Sequence, residues 1–226
     1  MKHARPQEET FLTIYFLLFS LLSYFVLFHT DSSSGWKFFN LTILYHLTFS
    51  IFTYTFRLFT PFQIWKFLLP LSILMVFPDW FLSAVLKILV FPEDGFYKIG
   101  TVSGYMAGLW SIPLFFTVYT GLKLEERSVS IIGTCFWVGI LSLAIFGGSE
   151  ATLWTLGSWY ATGVKMWNHI ALYVLIPELI LGVTAYLAYQ GFHESPFLFR
   201  LGIQFLIMIL YLGNLGFFYL LIERIF

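Results

Sequence analysis

Apolar runs long enough to cross a bilayer recur along this 226-residue chain almost from one end to the other. A spanning helix needs about 20 mainly apolar residues, because the hydrocarbon layer is about 30 Å thick. Such runs fall at 10–28, 38–58, 63–77, 104–121, 129–147, 168–190 and 199–221, so the chain is expected to be an integral membrane protein with seven spans. The third run is short and interrupted by Pro70 and Pro78. The apolar stretch 81–92 beyond it either extends it as a broken helix or lies in the interface, which leaves six or eight spans as alternatives. A cleavable signal peptide is not expected, since it would leave a hydrophilic remainder and the first run has no small-x-small cleavage site.

Strands are not expected. A membrane barrel needs ten-residue segments alternating apolar and polar, whereas Phe11–Phe19 is apolar all round but for Thr13. The fold class is therefore all-α, a polytopic helix bundle forming one membrane domain over 1–226. Only 11% of residues are charged, against about 25% in soluble domains. With 12 basic and 12 acidic residues the net charge is zero, so nothing favours a nucleic-acid partner. Cys135 is the only cysteine, which excludes a disulfide framework or a thiolate zinc site within the chain.

The two longest connections, 78–103 and 148–167, emerge on the same side of a seven-span bundle. Lys2, Arg5, Arg57, Lys66, Lys123, Arg127 and Arg200 fall on the N-terminal side, and Lys37, Lys87, Lys98, Lys165 and Arg224 on the other. The excess of positive charge places the N-terminus in the cytoplasm and the C-terminus outside. Asp79, Glu93, Asp94 and Glu150 all lie on the second side, in or beside the two long connections, which makes that face the place to look for chemistry.

Glu178 stands at the middle of the stretch from Asn168 to Gln190, about 15 Å from either end on a continuous helix. A carboxylate at that depth costs about 2.5–3.5 kcal/mol, so it is expected to face the bundle interior and to hold its proton at neutral pH. Pro177 beside it is expected to kink the helix and free a carbonyl near Tyr173. Glu178 is then either a working acid or a buried group that satisfies such a carbonyl. Glu178, Gly182 and Ala185 share one helical face, which lets a neighbouring helix approach closely. His169, nine residues earlier, is out of phase with Glu178; it is either a proton donor at a cavity mouth or an anchor for the helix end.

The 148–167 connection is too polar for a lipid-facing span and too aromatic for a free loop. A re-entrant or interfacial lid fits it, with Glu150 and Trp154 on one helical face; the plain alternative is an interfacial belt of Trp154, Trp159 and Tyr160. Pro78-Asp79-Trp80 and Glu93-Asp94 form a similar cluster in the other connection, and the plain reading of Glu93-Asp94 is a solvated turn. No phosphate loop, His-Glu-x-x-His, Gly-x-Ser-x-Gly or histidine pair at metal spacing is present, so no metal or cofactor is implied. His46 reads as a hydrogen-bonded packing residue.

A few acids on one side, one acid at depth and abundant aromatic rings suit the protonation of an isoprenoid double bond. That step needs a carboxylic acid kept neutral by burial, aromatic faces to stabilise the cation, and exclusion of water. Pro78-Asp79-Trp80 precedes Leu109-Trp110-Ser111-Ile112-Pro113-Leu114, and Glu150 with Trp154 precedes Leu172-Tyr173-Val174-Leu175-Ile176-Pro177-Glu178. In this the chain resembles the small polytopic carotenoid and terpene cyclases, notably lycopene cyclases of the heterodimeric or fused type. Those have two related membrane halves, each with an aspartate–tryptophan region followed by a helix bearing a Pro-x-Glu-Glu type motif. The resemblance implies repeat halves at about 78–122 and 148–190. It implies Glu178, Glu150 and Asp79 as catalytic acids, with Trp80, Trp110, Trp154, Trp159, His169 and Tyr173 around a hydrophobic substrate. Pro113 is followed by Leu114 and Pro177 by a single Glu, so the first half has lost its acid or uses Asp79 or Glu93-Asp94. The alternatives are a small proton-coupled carrier with Glu178 and Glu150 on its proton path, and a non-catalytic lipid-binding protein. An apolar cavity roofed by 148–167 and reached from lipid favours the enzyme, a through-path the carrier, and a filled bundle the scaffold.

Overall fold

The computed structural model describes residues 6–225; Lys2 and Arg5, counted above on the N-terminal side, lie outside them. The architecture is a helix bundle. Helix α1 (Pro6–His29) pairs with α2 (Ser34–Thr55), followed by α3 (Phe59–Leu74), α4 (Val76–Trp80) and a π turn, Phe81–Val85. Then come α5 (Met106–Leu109), α6 (Ser111–Glu126), α7 (Ile131–Leu153), α8 (Leu175–Phe192) and α9 (Phe197–Leu220).

Among the described residues, five helical stretches are long and apolar enough to cross a membrane: 7–29, 59–85, 131–156, 172–192 and 197–225. Seven was the expectation, and the two that fall short are α2 and α6. The first carries Lys37, His46 and scattered Asn, Thr and Ser, and the second is only 16 residues long and ends in Lys123, Glu125 and Glu126. The outer surface of the bundle is apolar, with Leu17, Leu21, Ile132 and Leu198 among many exposed side chains, as befits a lipid-facing belt.

The short third run of the sequence is one long stretch, 59–85. Pro78 does not end it, because it stands third in α4, where a missing N–H is tolerated in the first turn.

Short strands are present where none was expected. Leu89–Val90 (β1) pairs antiparallel with Tyr160–Ala161 (β4), Lys98–Ile99 (β2) with Val102–Ser103 (β3), and Met166–Trp167 (β5) with Ile170–Ala171 (β6). These lie outside the long apolar helices, where backbone groups need partners that a helix does not supply. The β1–β4 pair joins the two long connections to each other, and Thr162 adds a backbone bond to Ile88 (2.9 Å). Tyr105 reaches Ser158 O (3.4 Å), and Gly35 N donates to Asp94 O (2.9 Å). Both connections thus form a single cap on one end of the bundle. The start of α1 and the end of α9 lie at opposite ends: Glu8 and Glu9 approach Lys123 at the far end of α6, while Glu223 accepts from the Lys165 backbone in the cap.

The element order recurs within the cap. A hairpin, a short helical turn and a helix with proline at its third residue occur first as β2–β3, α5 and α6 with Pro113. They occur again as β5–β6, the 3₁₀ turn Leu172–Val174 and α8 with Pro177.

Candidate functional site

Beneath the cap lies a cavity of about 300 Å³, at the small end of the range for ligand pockets. Asp79, Glu150 and Glu178 all line it, although they come from three separate helices. Asp79 sits in α4 and is buried; Glu150 is in the last turn of α7; Glu178 is in the first turn of α8 and is buried. The three carboxyl groups lie within Coulombic range of one another.

Two of them are held by indoles. Trp110 Nε1 donates to Asp79 Oδ2 at 3.0 Å, and Trp159 Nε1 donates to Glu150 Oε1 at 3.3 Å, with the Ala171 backbone also bonded to Glu150. Glu178 differs, because its Oε2 is buried without any hydrogen-bond partner. Thr42 Oγ1, also on the cavity wall, is buried and unpartnered too. Buried polar atoms are nearly always bonded, so two such atoms on residues that line one cavity make Glu178 and Thr42 the polar groups most in need of a partner there.

The remaining wall is apolar and aromatic. Trp110 packs on Phe146 (5.2 Å between centroids) and edge-on to Tyr211 (5.7 Å), and Tyr173 stands edge-on to Tyr219. Trp159 and Ala161 from one connection, and Leu89 and Phe91 from the other, close the cap side. Phe19, Ser23 and Leu27 of α1 face Ile112, Pro113 and Phe116 of α6 across the cavity, most of them partly exposed. Helix α1 packs chiefly on α2, so on this side the cavity is bordered by partly exposed side chains of α1 and α6.

Several expectations about these residues need correction. Glu178 is not at mid-span, because residues 166–174 form the β5–β6 hairpin and a 3₁₀ turn before α8 begins. Pro177 makes no kink, since it stands third in α8, in the first turn. Asn168 and His169 are the central residues of that hairpin, both with positive φ (48° and 66°), as a type I′ turn demands. His169 stacks on Trp154 at 4.1 Å, and neither lines the cavity. Trp154 turns away because α7 ends at Leu153; its indole bonds back to Ala151 O (3.1 Å), and the reach to Glu150 falls to Trp159. Trp80 is also outside, laid against the turn at Gly100, where a Cβ would come within 2.9 Å of its ring. Of the aromatic set named from sequence, Trp110, Trp159 and Tyr173 line the cavity.

Glu93 is exposed and paired with Lys98 (2.9 Å), while Asp94 is buried and structural, accepting from Ser103 Oγ and the Phe96 backbone N–H. His46 bridges α2, α3 and α5: Trp65 Nε1 donates to its Nδ1 (3.0 Å), leaving Nε2–H to donate to Gly108 O (3.1 Å). Sequence reasoning passed over Phe146, Tyr211 and Thr42. The signal for Tyr211 was available, since Gln204, Met208, Tyr211, Leu215 and Tyr219 recur at helical spacing and are buried together. Among the described residues, no three His, Cys, Asp or Glu side chains are grouped so as to hold a metal ion.

Comparison with known proteins gives a family. The profile of a domain of unknown function, DUF6989, matches residues 76–222, which span the cap, α6 to α9 and all three acids. The chain belongs to the DUF6989 family. No curated protein and no solved structure matches it. The family is described without an activity, so the chemistry has to be argued from the cavity, and the lycopene-cyclase resemblance gains no support from a named relative.

Proposed function

We propose that this DUF6989 protein is a membrane-embedded enzyme that protonates a hydrophobic, isoprenoid-like substrate and so drives its cyclisation or isomerisation. The observation that carries the reading is that Glu178, buried and with one carboxyl oxygen lacking a hydrogen-bond partner among the described residues, lines an apolar, aromatic-walled cavity bordered by partly exposed residues of α1 and α6. Glu178, in its protonated form, is the acid. Its O–H bond breaks as a C–H bond forms at one alkene carbon, leaving a carbocation at the other. A second double bond attacks that cation to close a ring, leaving a new cation that loses a neighbouring proton, or the first cation itself loses a neighbouring proton to shift the double bond. The ring faces of Trp110, Tyr173 and Tyr211 stabilise the positive charge, and the closed cap keeps water from quenching it.

Asp79 or Glu150 accepts the departing proton, and passage of a proton back to Glu178 resets the acid, which balances the reaction without an external reagent. Trp110 and Trp159 are positioning residues here, each orienting one carboxylate. The recurrent hairpin–turn–helix order supports two related halves at about 78–122 and 148–190, with Asp79 and Glu150 in corresponding places on either side of the β1–β4 pair. Partners on this reading are membrane lipid and a hydrophobic small molecule. We also propose that α2 and α6 cross the membrane with the other five stretches, with the N-terminus cytoplasmic by the excess of Lys and Arg at that end.

The test is Glu178→Gln, which keeps size and hydrogen bonding but lacks the acidic proton. Mass spectrometry of molecules that co-purify with the wild-type and variant proteins is expected to find an uncyclised precursor on the variant and its isomer on the wild type. Identical molecules on both would leave Glu178 as a structural residue.

A further inference from the structure

The cavity, of about 300 Å³, is too small to enclose a long isoprenoid. A second space of about 610 Å³ lies along the same two helices, lined by Leu12, Phe16 and Leu17 of α1 and by Phe115, Phe116 and Tyr119 of α6. Phe116 belongs to both spaces. Phe16 packs against it at 4.6 Å between centroids, so these two rings stand at the passage from one to the other. At its far end the groove meets Lys123, which is held by Glu8, Glu9 and Glu126 and lies over the Tyr119 ring at 5.2 Å. From Phe116 to Lys123 along α6 is about 10 Å.

We infer that the groove between α1 and α6 holds the apolar tail of the substrate whose reacting end sits among Asp79, Glu150 and Glu178. The Phe16–Phe116 pair is the gate the tail passes, and the Lys123 cluster is the stop that limits its length. This rests on the reading of the cavity given above. The occupant follows from adjacency: the groove shares Phe116 with the cavity, its walls are mainly apolar, and among the described residues its charged groups, Glu9, Lys123 and Arg127, are at the far end. A tail laid there would bury its surface against Leu12, Leu17 and Leu124 without displacing any bonded polar group. A single alkyl or isoprenoid chain suits this narrow, lipid-side cleft, and a bulky fused-ring molecule does not.

The experiment uses two photoreactive probes on the full-length protein in lipid nanodiscs: geraniol and geranylgeraniol, each with a diazirine at the end remote from the hydroxyl. The short probe is expected to label cavity residues, and the long one the groove segments 12–20 and 116–124. Phe116→Trp, which narrows the gate, is expected to lower groove labelling by the long probe about tenfold, equivalent to about 1.4 kcal/mol of tail binding. Phe16→Trp, on the opposite helix and outside the cavity lining, should act in the same way while leaving cavity labelling by the short probe intact, and guards against misfolding of one variant. Groove labelling that is unchanged in both variants would show ordinary membrane lipid in an independent groove and overturn the inference. Cavity labelling by both probes with none in the groove would overturn it as well, while sparing the cavity reading. Absence of cavity labelling by the short probe would overturn both together.

Discussion

The two indole-held carboxyl groups differ in depth, and that difference can be measured. Trp110→Phe keeps the ring packed against Phe146 and Tyr211 but strips the donor from Asp79, which is only 4% exposed. Leaving a buried acceptor unsatisfied costs about 1–3 kcal/mol. Trp159→Phe does the same to Glu150, which is partly exposed in the cavity and keeps its bond with the Ala171 backbone. Thermal unfolding in detergent should therefore show a clear loss for Trp110→Phe and a smaller one for Trp159→Phe; equal losses would contradict the asymmetry. The acids themselves were legible in the sequence because carboxyl groups are rare in apolar surroundings and stand out wherever they occur. Their aromatic partners were not. Glu150 and Trp154 have helical spacing, but α7 stops one residue before Trp154, and only the fold of the connection shows that Trp159 swings back.

At the scale of elements, α7 and α8 form a close seam. A Cβ on Gly182 would sit 2.4 Å from Ser142 Oγ and 2.6 Å from its Cβ, while Ser142 donates to the Glu178 carbonyl at 2.7 Å. Gly182→Ala is thus expected to push the helices apart and cost about 1–3 kcal/mol. Adding Ser142→Gly should restore most of the lost thermal stability by removing the clashing atoms. No recovery in the double variant would mean that the seam is not what Gly182 serves. The Glu178–Gly182–Ala185 face was readable from the i, i+4, i+7 spacing, because small residues on one stripe mark close approach whatever the neighbour is. Helix starts were harder to read. Apolar residues 166–174 look like the beginning of a span, yet the left-handed pair Asn168-His169 turns them into a hairpin, and α8 starts only at Leu175. That shift moves Glu178 from the middle of a helix to its first turn, where it faces the cap end of the bundle.

For the whole molecule, the ends of α1 and α9 lie at opposite ends of the bundle, so reporters fused to the two termini should report opposite compartments, the N-terminal one cytoplasmic. The same compartment for both would show that an odd number of crossings is wrong. The membrane class was legible from hydropathy alone, since lipid-facing and core-facing surfaces are both apolar here. Which helices cross is harder to read, because α2 and α6 mix polar groups into their packed faces. The 148–167 connection reads as a lid, but its pairing with the other connection does not show, because strands of two residues leave no periodicity to read. The central claim is that Glu178 delivers a proton to carbon, and heavy water tests it most directly. The hydrophobic precursor recovered from the Glu178→Gln protein is given to the wild-type protein in deuterated buffer, and its product is weighed by mass spectrometry. One solvent deuterium bonded to carbon is the result expected; a product formed without solvent deuterium would contradict acid initiation.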